Sequence, residues 1–221
     1  MDPKRRSDWA VILARGASTR MGRPKGLCHL PGDPLPFLSR ILALYAGVGF
    51  PVAIVTTGEL ACLYRSILSG SAPPRPAARA QAAAWLLQPA GGGTAATVLA
   101  ALAGLRSLAT HLWLHPVDVP GVTAATLQEL HRTSVAEPGS VLVPEHAGQP
   151  GHPVVMPVRP FTGLGGPPAH TAMRPWLLEL TRPDPHQAAP LLVVPLTDPQ
   201  IVMDYDDVDS LGTGERYGGD R

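Results

Sequence analysis

Trp9-Ala-Val-Ile-Leu-Ala-Arg-Gly-Ala-Ser-Thr-Arg-Met-Gly-Arg-Pro-Lys25 is the stretch from which the rest of the chain can be read. Its first five residues, Trp9 to Leu13, are apolar without alternation, the pattern of a short strand buried on both faces. The residues that follow mix glycine, hydroxyl and cationic side chains. No core absorbs that mixture, so the chain leaves the sheet as a loop. At Gly16 and Gly22 a positive φ costs little, which lets backbone N–H groups turn inward. Ser18 and Thr19 add hydroxyl donors, while Arg20 and Lys25 add fixed positive charge. Backbone amides backed by cations suit a polyphosphate. On the residues alone, a basic surface turn after a strand is the competing reading, since the spacing is neither Walker A nor GxGxxG.

Composition sets the outer bounds. At 221 residues the chain fits a single domain, 1–221, with a sizeable core. A hydrophobic content of 45% with 16% charged residues suits a soluble globular protein. The formal net charge of +1 gives no reason to expect a nucleic acid or an anionic membrane as partner. The 23 glycines and 26 prolines fall mostly between apolar runs and read as turns. Only two of the 18 basic residues are lysines, Lys4 and Lys25, so an arginine-using chain has placed a lysine in its loop. A compact ammonium on a flexible stem suits reaching phosphate oxygens. Cys28 and Cys62 are too few and too far apart to imply a disulfide framework or a zinc site. The apolar run near the N-terminus is only strand-length, and no run reaches the roughly 20 residues of a membrane span. The expected compartment is the cytoplasm.

Downstream, Phe37, Leu38, Ile41, Leu42, Leu44 and Tyr45 recur at helical spacing before Gly47 and Gly49. Val52 to Thr56 is a second buried strand, and a helix follows over Leu60 to Leu68. This alternation predicts a mostly parallel sheet with helices on its faces. Residues 71–84 are rich in Ala, Pro, Arg and Gln, a linker or surface helix, and Trp85 to Gln88 returns to the sheet. In Gly91-Gly-Gly-Thr94 the glycines allow close backbone approach, and Thr94 is placed to cap the next helix. A helix N-terminus beside such a run offers N–H donors to a base or phosphate, although a plain flexible turn has the same composition.

The acidic residues are sparse where they matter. Between Glu59 and Glu129 there is one, Asp118, in Leu112-Trp-Leu-His-Pro-Val-Asp-Val-Pro120. It follows an apolar strand, and ligands of open α/β sheets bind outside the strands' carboxyl ends. A carboxylate there suits Mg²⁺, but it suits equally a cap for the helix that begins near Thr123. Val141 to Pro144 reads as a strand, and Gly151-His-Pro-Val-Val-Met156 follows it. His152 is the histidine of interest, though by itself it reads as readily as a structural, hydrogen-bonded residue. Near the end, a strand through Ile201–Leu211 would set Asp204 and Asp206 on one face, where a cation would relieve their repulsion. A solvated acidic turn is the other reading of the same residues.

The first loop resembles L-A-[AG]-G-x-S-x-R-M-G-x-x-K, which opens the nucleotidyltransferases of the molybdenum-cofactor cytidylyl- and guanylyltransferase type. The match runs through Leu13, Ala14, Gly16, Ser18, Arg20, Met21, Gly22 and Lys25. Arg15 stands where that family usually has Ala or Gly. The stretch around Asp118 resembles its x-P-x-D-x-P element, and Gly151-His-Pro153 the Gly-His-Pro of the cytidylyl members. Ala169-His-Thr-Ala-Met-Arg174 stands for G-D-x-G-A-R with only the arginine kept, and the Asp204–Leu211 stretch for D-[IV]-D-T-P-E-D-L without its Thr-Pro.

The resemblance implies a three-layer, Rossmann-like (GT-A-like) α/β domain. It implies that Leu13, Ala14, Arg15, Gly16, Ser18, Gly22, Lys25, Gln88, Gly93, Thr94 and Thr97 border the nucleotide. Lys25, Arg20 and Asp118 would be catalytic, Asp118 and Asp206 would hold Mg²⁺, and His152 and Arg174 would face the acceptor. The implied reaction transfers CMP from CTP to molybdopterin or its molybdenum form, with a molybdoenzyme as eventual client. Guanylyl transfer, another small phosphorylated acceptor, and a non-catalytic cofactor carrier remain as alternatives.

Overall fold

β1 (Asp8–Leu13) runs through the middle of the molecule, with Ala10, Val11 and Ile12 fully buried. The structure, a computed structural model, describes residues 7–16, 22–70, 84–89, 93–161, 172, 175 and 189–205. Parallel partners flank β1 on both sides: β2 (Val52–Thr56) and β4 (His111–Pro116). β3 (Ala84–Leu87) adds to β2, again parallel. A strand lined on both faces by helices has no polar side, which is why these segments read as unbroken apolar runs.

The crossover helices are α1 (Phe37–Gly47), α2 (Gly58–Gly70) and α3 (Thr94–Leu105), and α4 (Ala124–Ala136) follows β4. Alternate residues of β1 divide the core. Ala10 and Ile12 meet Leu38, Ile41, Leu42 and Tyr45 of α1, Tyr64 of α2 and Leu127 and Leu130 of α4. Val11 meets the other layer, which α3 supplies through Ala95, Val98, Ala101, Leu102 and Leu105. The result is the expected three-layer α/β arrangement.

Beyond β4 the sheet departs from a plain parallel order. β5 (Val141–His146) turns at Ala147 and Gly148, whose φ values are +51° and +81°, into β6 (Gln149–Pro150) and then β7 (Val154–Pro157). That tight hairpin leaves no room for a crossover, so β7 runs antiparallel, inserted between β4 and β5. β8 (Leu191–Pro195) pairs parallel with the other side of β5. The sequence marked Val141–Pro144 as a strand, but only the hairpin decided the direction of β7.

Two smaller expectations are corrected. Thr94 is the first residue of α3, and the capping position falls on Gly93 with no side-chain cap bond. Residues Pro199–Val202 form a 3-10 turn in place of a strand, and residues 203–205 continue without strand pairing. The side chain of Asp198 caps that turn by accepting from the Gln200 N–H, a local bond that competes with a ladder.

Candidate active site

The carboxyl ends of β1, β2, β3 and β4 lie in register along one rim, with Leu13 beside Val55 and Pro116, and Thr56 beside Leu87. Short bonds close the rim. The Thr56 hydroxyl donates to the Ala14 carbonyl at 2.7 Å, the Gln88 N–H to Thr56 O at 2.9 Å, and the Val117 N–H to Leu13 O at 3.2 Å. Four segments that are far apart in sequence thereby open onto one crevice, the usual place for a ligand in an open α/β sheet.

Lys25 and Asp118 meet there. The Lys25 ammonium donates to Asp118 Oδ2 at 2.7 Å, with the two side chains 15% and 24% exposed. Lys25 opens a 3-10 turn, Lys25–Leu27, whose middle residue Gly26 packs on the ring of Tyr64 from α2. A Cβ on Gly26 would lie 2.8 Å from Tyr64 Cε1, so the turn sits closer to the ring than a larger residue allows. The Gly26 N–H also bonds the Tyr64 hydroxyl, while burial pushes that phenol up to about 12. At the preceding glycine, Gly22, φ is +64°, the left-handed turn that its residue type permits. Gly16, by contrast, is outside the left-handed region, and a Cβ there would meet nothing within 4 Å.

Asp118 does not cap α4. That role belongs to Thr123, whose hydroxyl accepts from the Thr126 N–H at 3.3 Å. The carboxylate is left facing the rim with Lys25, and its backbone is held from behind, because the Tyr205 N–H donates to Asp118 O at 3.0 Å. Tyr205 is therefore clipped onto the segment after β4. Asp206 lies outside the described residues, as do Ser18, Arg20 and Arg174. Among the described residues no three His, Cys, Asp or Glu groups converge in a way that could hold a metal. A single carboxylate is nonetheless a fitting donor for Mg²⁺, which binds through one or two carboxylates and takes its other oxygens from water and phosphate.

Arg15 ties the loop to the next segments. Its guanidinium donates to Thr97 Oγ1 at 2.7 Å and to Pro89 O at 3.0 Å. Thr97 is buried in the first turn of α3, with its hydroxyl also 3.3 Å from Gly93 O. Gln88 turns its amide back on Leu87 O at 3.1 Å. Arg15, Pro89, Gly93, Thr94 and Thr97 thus form one connected edge of the crevice.

On the opposite edge, the His152 N–H donates to Ile201 O at 2.8 Å, and a Cβ on Gly151 would lie 2.5 Å from that same oxygen. The Gly-His-Pro turn and the 199–205 segment are therefore packed backbone to backbone. His152 Nδ1 is buried with no hydrogen-bond partner among the described residues. Burial lowers this imidazole to about 4, and the negative charge of Asp118 only partly opposes the shift.

Sequence reasoning passed over His115 and Tyr64, and read Tyr45 only as part of a helical face. His115 Nε2 donates to the Val119 carbonyl at 2.8 Å, and its Nδ1 accepts from the Tyr45 hydroxyl at 3.0 Å. The carbonyl can only accept, so it selects the tautomer. The signal available was a second histidine in the strand His111-Leu-Trp-Leu-His-Pro116, set after an apolar run. Its partner lies 70 residues away, which no local pattern reveals.

Residues 10–183 match the model of the MobA-like NTP transferase domain. The chain belongs to that family. Its activity is accordingly of the nucleotidyltransferase class. Among curated proteins, none matches the sequence. Rv0371c from Mycobacterium tuberculosis H37Rv is 22% identical and aligns with a TM-score of 0.64 over 92% of this chain and 95% of its own. A complex of Rv0371c with manganese aligns with a TM-score of 0.58 over 93% and 97%, at 21% identity. The 4-diphosphocytidyl-2C-methyl-D-erythritol synthase of Anaerococcus prevotii DSM 20548 aligns with a TM-score of 0.68 over 93% and 95%, at 9% identity. These structures share the Rossmann-like fold with this member of the MobA-like family. No helix among its described residues is long and apolar enough to cross a membrane.

Proposed function

We propose that the chain transfers CMP from CTP to a phosphorylated pterin, molybdopterin or its molybdenum form, with release of pyrophosphate. The observation that carries this reading is the convergence of Lys25 and Asp118 at 2.7 Å on the strand rim, beside the loop that resembles a phosphate cradle. A phosphate oxygen of the acceptor attacks the α-phosphorus of CTP. The bond from that phosphorus to the bridging oxygen breaks, and pyrophosphate leaves with the electron pair. No protein nucleophile is needed, so positioning and charge neutralisation carry the catalysis.

In this reading Asp118 and Asp206 hold Mg²⁺, which supplies Lewis acidity to the phosphate oxygens when bound. Lys25 and Arg20, with Ser18 and the amides of Gly16 and Gly22, steady the triphosphate and the charge that develops on pyrophosphate. Leu13, Ala14, Arg15, Gln88, Gly93, Thr94 and Thr97 border the base and ribose. His152 and Arg174 face the acceptor. His152 is suited to a neutral hydrogen-bonding role, since burial holds its ring well below the ordinary imidazole value.

A guanylyl reading of the same site rests on Arg15, which stands where the family usually has Ala or Gly and lines the edge shared with Thr97 and Pro89. Calorimetry of CTP, GTP and ATP with Mg²⁺, on the wild type and on Asp118→Ala, tests both. CTP-selective binding that the substitution weakens is the expected result and leads to an assay of pyrophosphate release with molybdopterin. Selective GTP binding would move the assignment to guanylyl transfer, and absence of any nucleotide binding would overturn the enzyme reading.

A further inference from the structure

Asp118 sits in a turn between Pro116 and Pro120, and three successive carbonyls there each accept a hydrogen bond from a different part of the chain. The Asp118 carbonyl takes the Tyr205 N–H at 3.0 Å, the Val119 carbonyl takes His115 Nε2 at 2.8 Å, and the Pro120 carbonyl takes Arg40 Nε at 2.8 Å. All three donors lead back to α1. Arg40 belongs to that helix. The Tyr45 hydroxyl donates to His115 Nδ1 at 3.0 Å, and the Phe37 ring packs on that of Tyr205 with centroids 5.6 Å apart. The Arg40 guanidinium is itself aimed, because its Nη1 bonds the Asp33 carboxylate, whose Oδ1 accepts the Leu35 N–H at 2.8 Å.

We propose that Arg40 and His115 are positioning residues for Asp118, holding its carboxylate in the one place where a divalent cation can use it. The inference rests on the reading of Asp118 as a cation ligand. Mg²⁺ demands near-ideal octahedral geometry and gives up its water reluctantly, so a ligand that must first be ordered binds it less well. A turn whose carbonyls bonded only water would meet that ordering cost at each binding event. Here the donors of α1 and of the strand before the turn meet it on folding. Arg40 and His115 reach backbone one and two residues beyond Asp118, so they act on the carboxylate through the turn that carries it. The Arg40 bond is charge-assisted, and the His115 bond is buried, which makes both stronger than a loop carbonyl's usual bond to water.

Calorimetry of CTP, with GTP in parallel, is run once in EDTA and once with MnCl₂, and the ratio of the two affinities is the gain due to the cation. Asp118→Ala should lose most of that gain. Arg40→Met keeps an apolar stem at a partly exposed position and loses the donor. It should reduce the gain by about tenfold, the scale of one charge-assisted hydrogen bond, with the affinity in EDTA unchanged. His115→Leu should also reduce the gain, whereas His115→Gln, which retains a donor for Val119 O, should keep most of it. In the Asp118→Ala background Arg40→Met should have no further effect. A general loosening of the fold would persist there and would weaken binding in EDTA as well. An unchanged gain in Arg40→Met, or an equal loss of affinity with MnCl₂ in the Asp118→Ala background, overturns the positioning role and leaves the cation reading standing. A wild type that binds no nucleotide or gains nothing from MnCl₂, or a gain that survives Asp118→Ala, overturns the cation reading and this inference with it. Arg40→Met decides the question whether or not His115→Leu folds.

Discussion

Acid should destabilise this protein through its buried histidines, His115 and His152, and the size of the His115 share follows from its surroundings. His115 is fully buried, donating to the Val119 carbonyl and accepting from the Tyr45 hydroxyl, and burial holds it neutral. Burial lowers it from its ordinary 6.5 to about 4, a shift that the Val119 bond and the Asp118 charge oppose and His152 reinforces. Between those two values the unfolded chain binds the proton and the folded chain does not. Stability is therefore fully present above the unfolded value and is lost as pH falls from 6.5 toward about 4. At about pH 5 the ring alone should have removed about 2 kcal/mol relative to about pH 7. In urea titrations that is a midpoint shift of about 1 M, taking a slope of about 2 kcal/mol per M. His115→Gln keeps an amide donor for Val119 O and an acceptor for Tyr45 but does not titrate. Its midpoint at about pH 7 should be lower than the wild type's, while its loss between about pH 7 and pH 5 should be smaller by about 2 kcal/mol. Equal pH dependence in the two proteins would show that His115 is not held neutral by the fold.

Two further substitutions probe the edges of the crevice. Arg15→Ala removes the bonds to Thr97 and Pro89, and should raise the nucleotide KM by about tenfold with a smaller change in kcat. Steady-state kinetics with the preferred nucleotide would show it, and a fall in kcat at constant KM would refute a positioning role. Gly151→Ala drives a methyl to 2.5 Å from Ile201 O, and should cost about 1–3 kcal/mol as the 199–205 segment gives way. For a chain of this size a thermal melt should fall by about 2–4 °C per kcal/mol, and an unchanged melt would mean that the two segments are not packed as described.

Much of the scaffold was legible because it rests on local patterns. The unbroken apolar runs at Trp9–Leu13 and Val52–Thr56 carry their burial in their composition, and the spacing of Phe37, Leu38, Ile41, Leu42 and Tyr45 carries the buried face of α1. Asp118 stood out because no other acidic residue lies between Glu59 and Glu129. The cap of α3 was misplaced by one residue, since Gly93 and Thr94 are both acceptable there and only the backbone angles choose between them.

By itself, then, the sequence determined the alternation of strand and helix, the loop chemistry after β1 and the acidic residue after β4. Each of these is a property of neighbouring residues. The tertiary structure alone decided that β7 runs antiparallel between β4 and β5, because a hairpin through Ala147 and Gly148 left no chain for a crossover. It alone joined Lys25 to Asp118 across 93 positions, Arg15 to Thr97 across 82, and the Tyr205 backbone to Asp118. Such pairings depend on which strand ends share a rim, and that is set by sheet order, which no stretch of sequence contains.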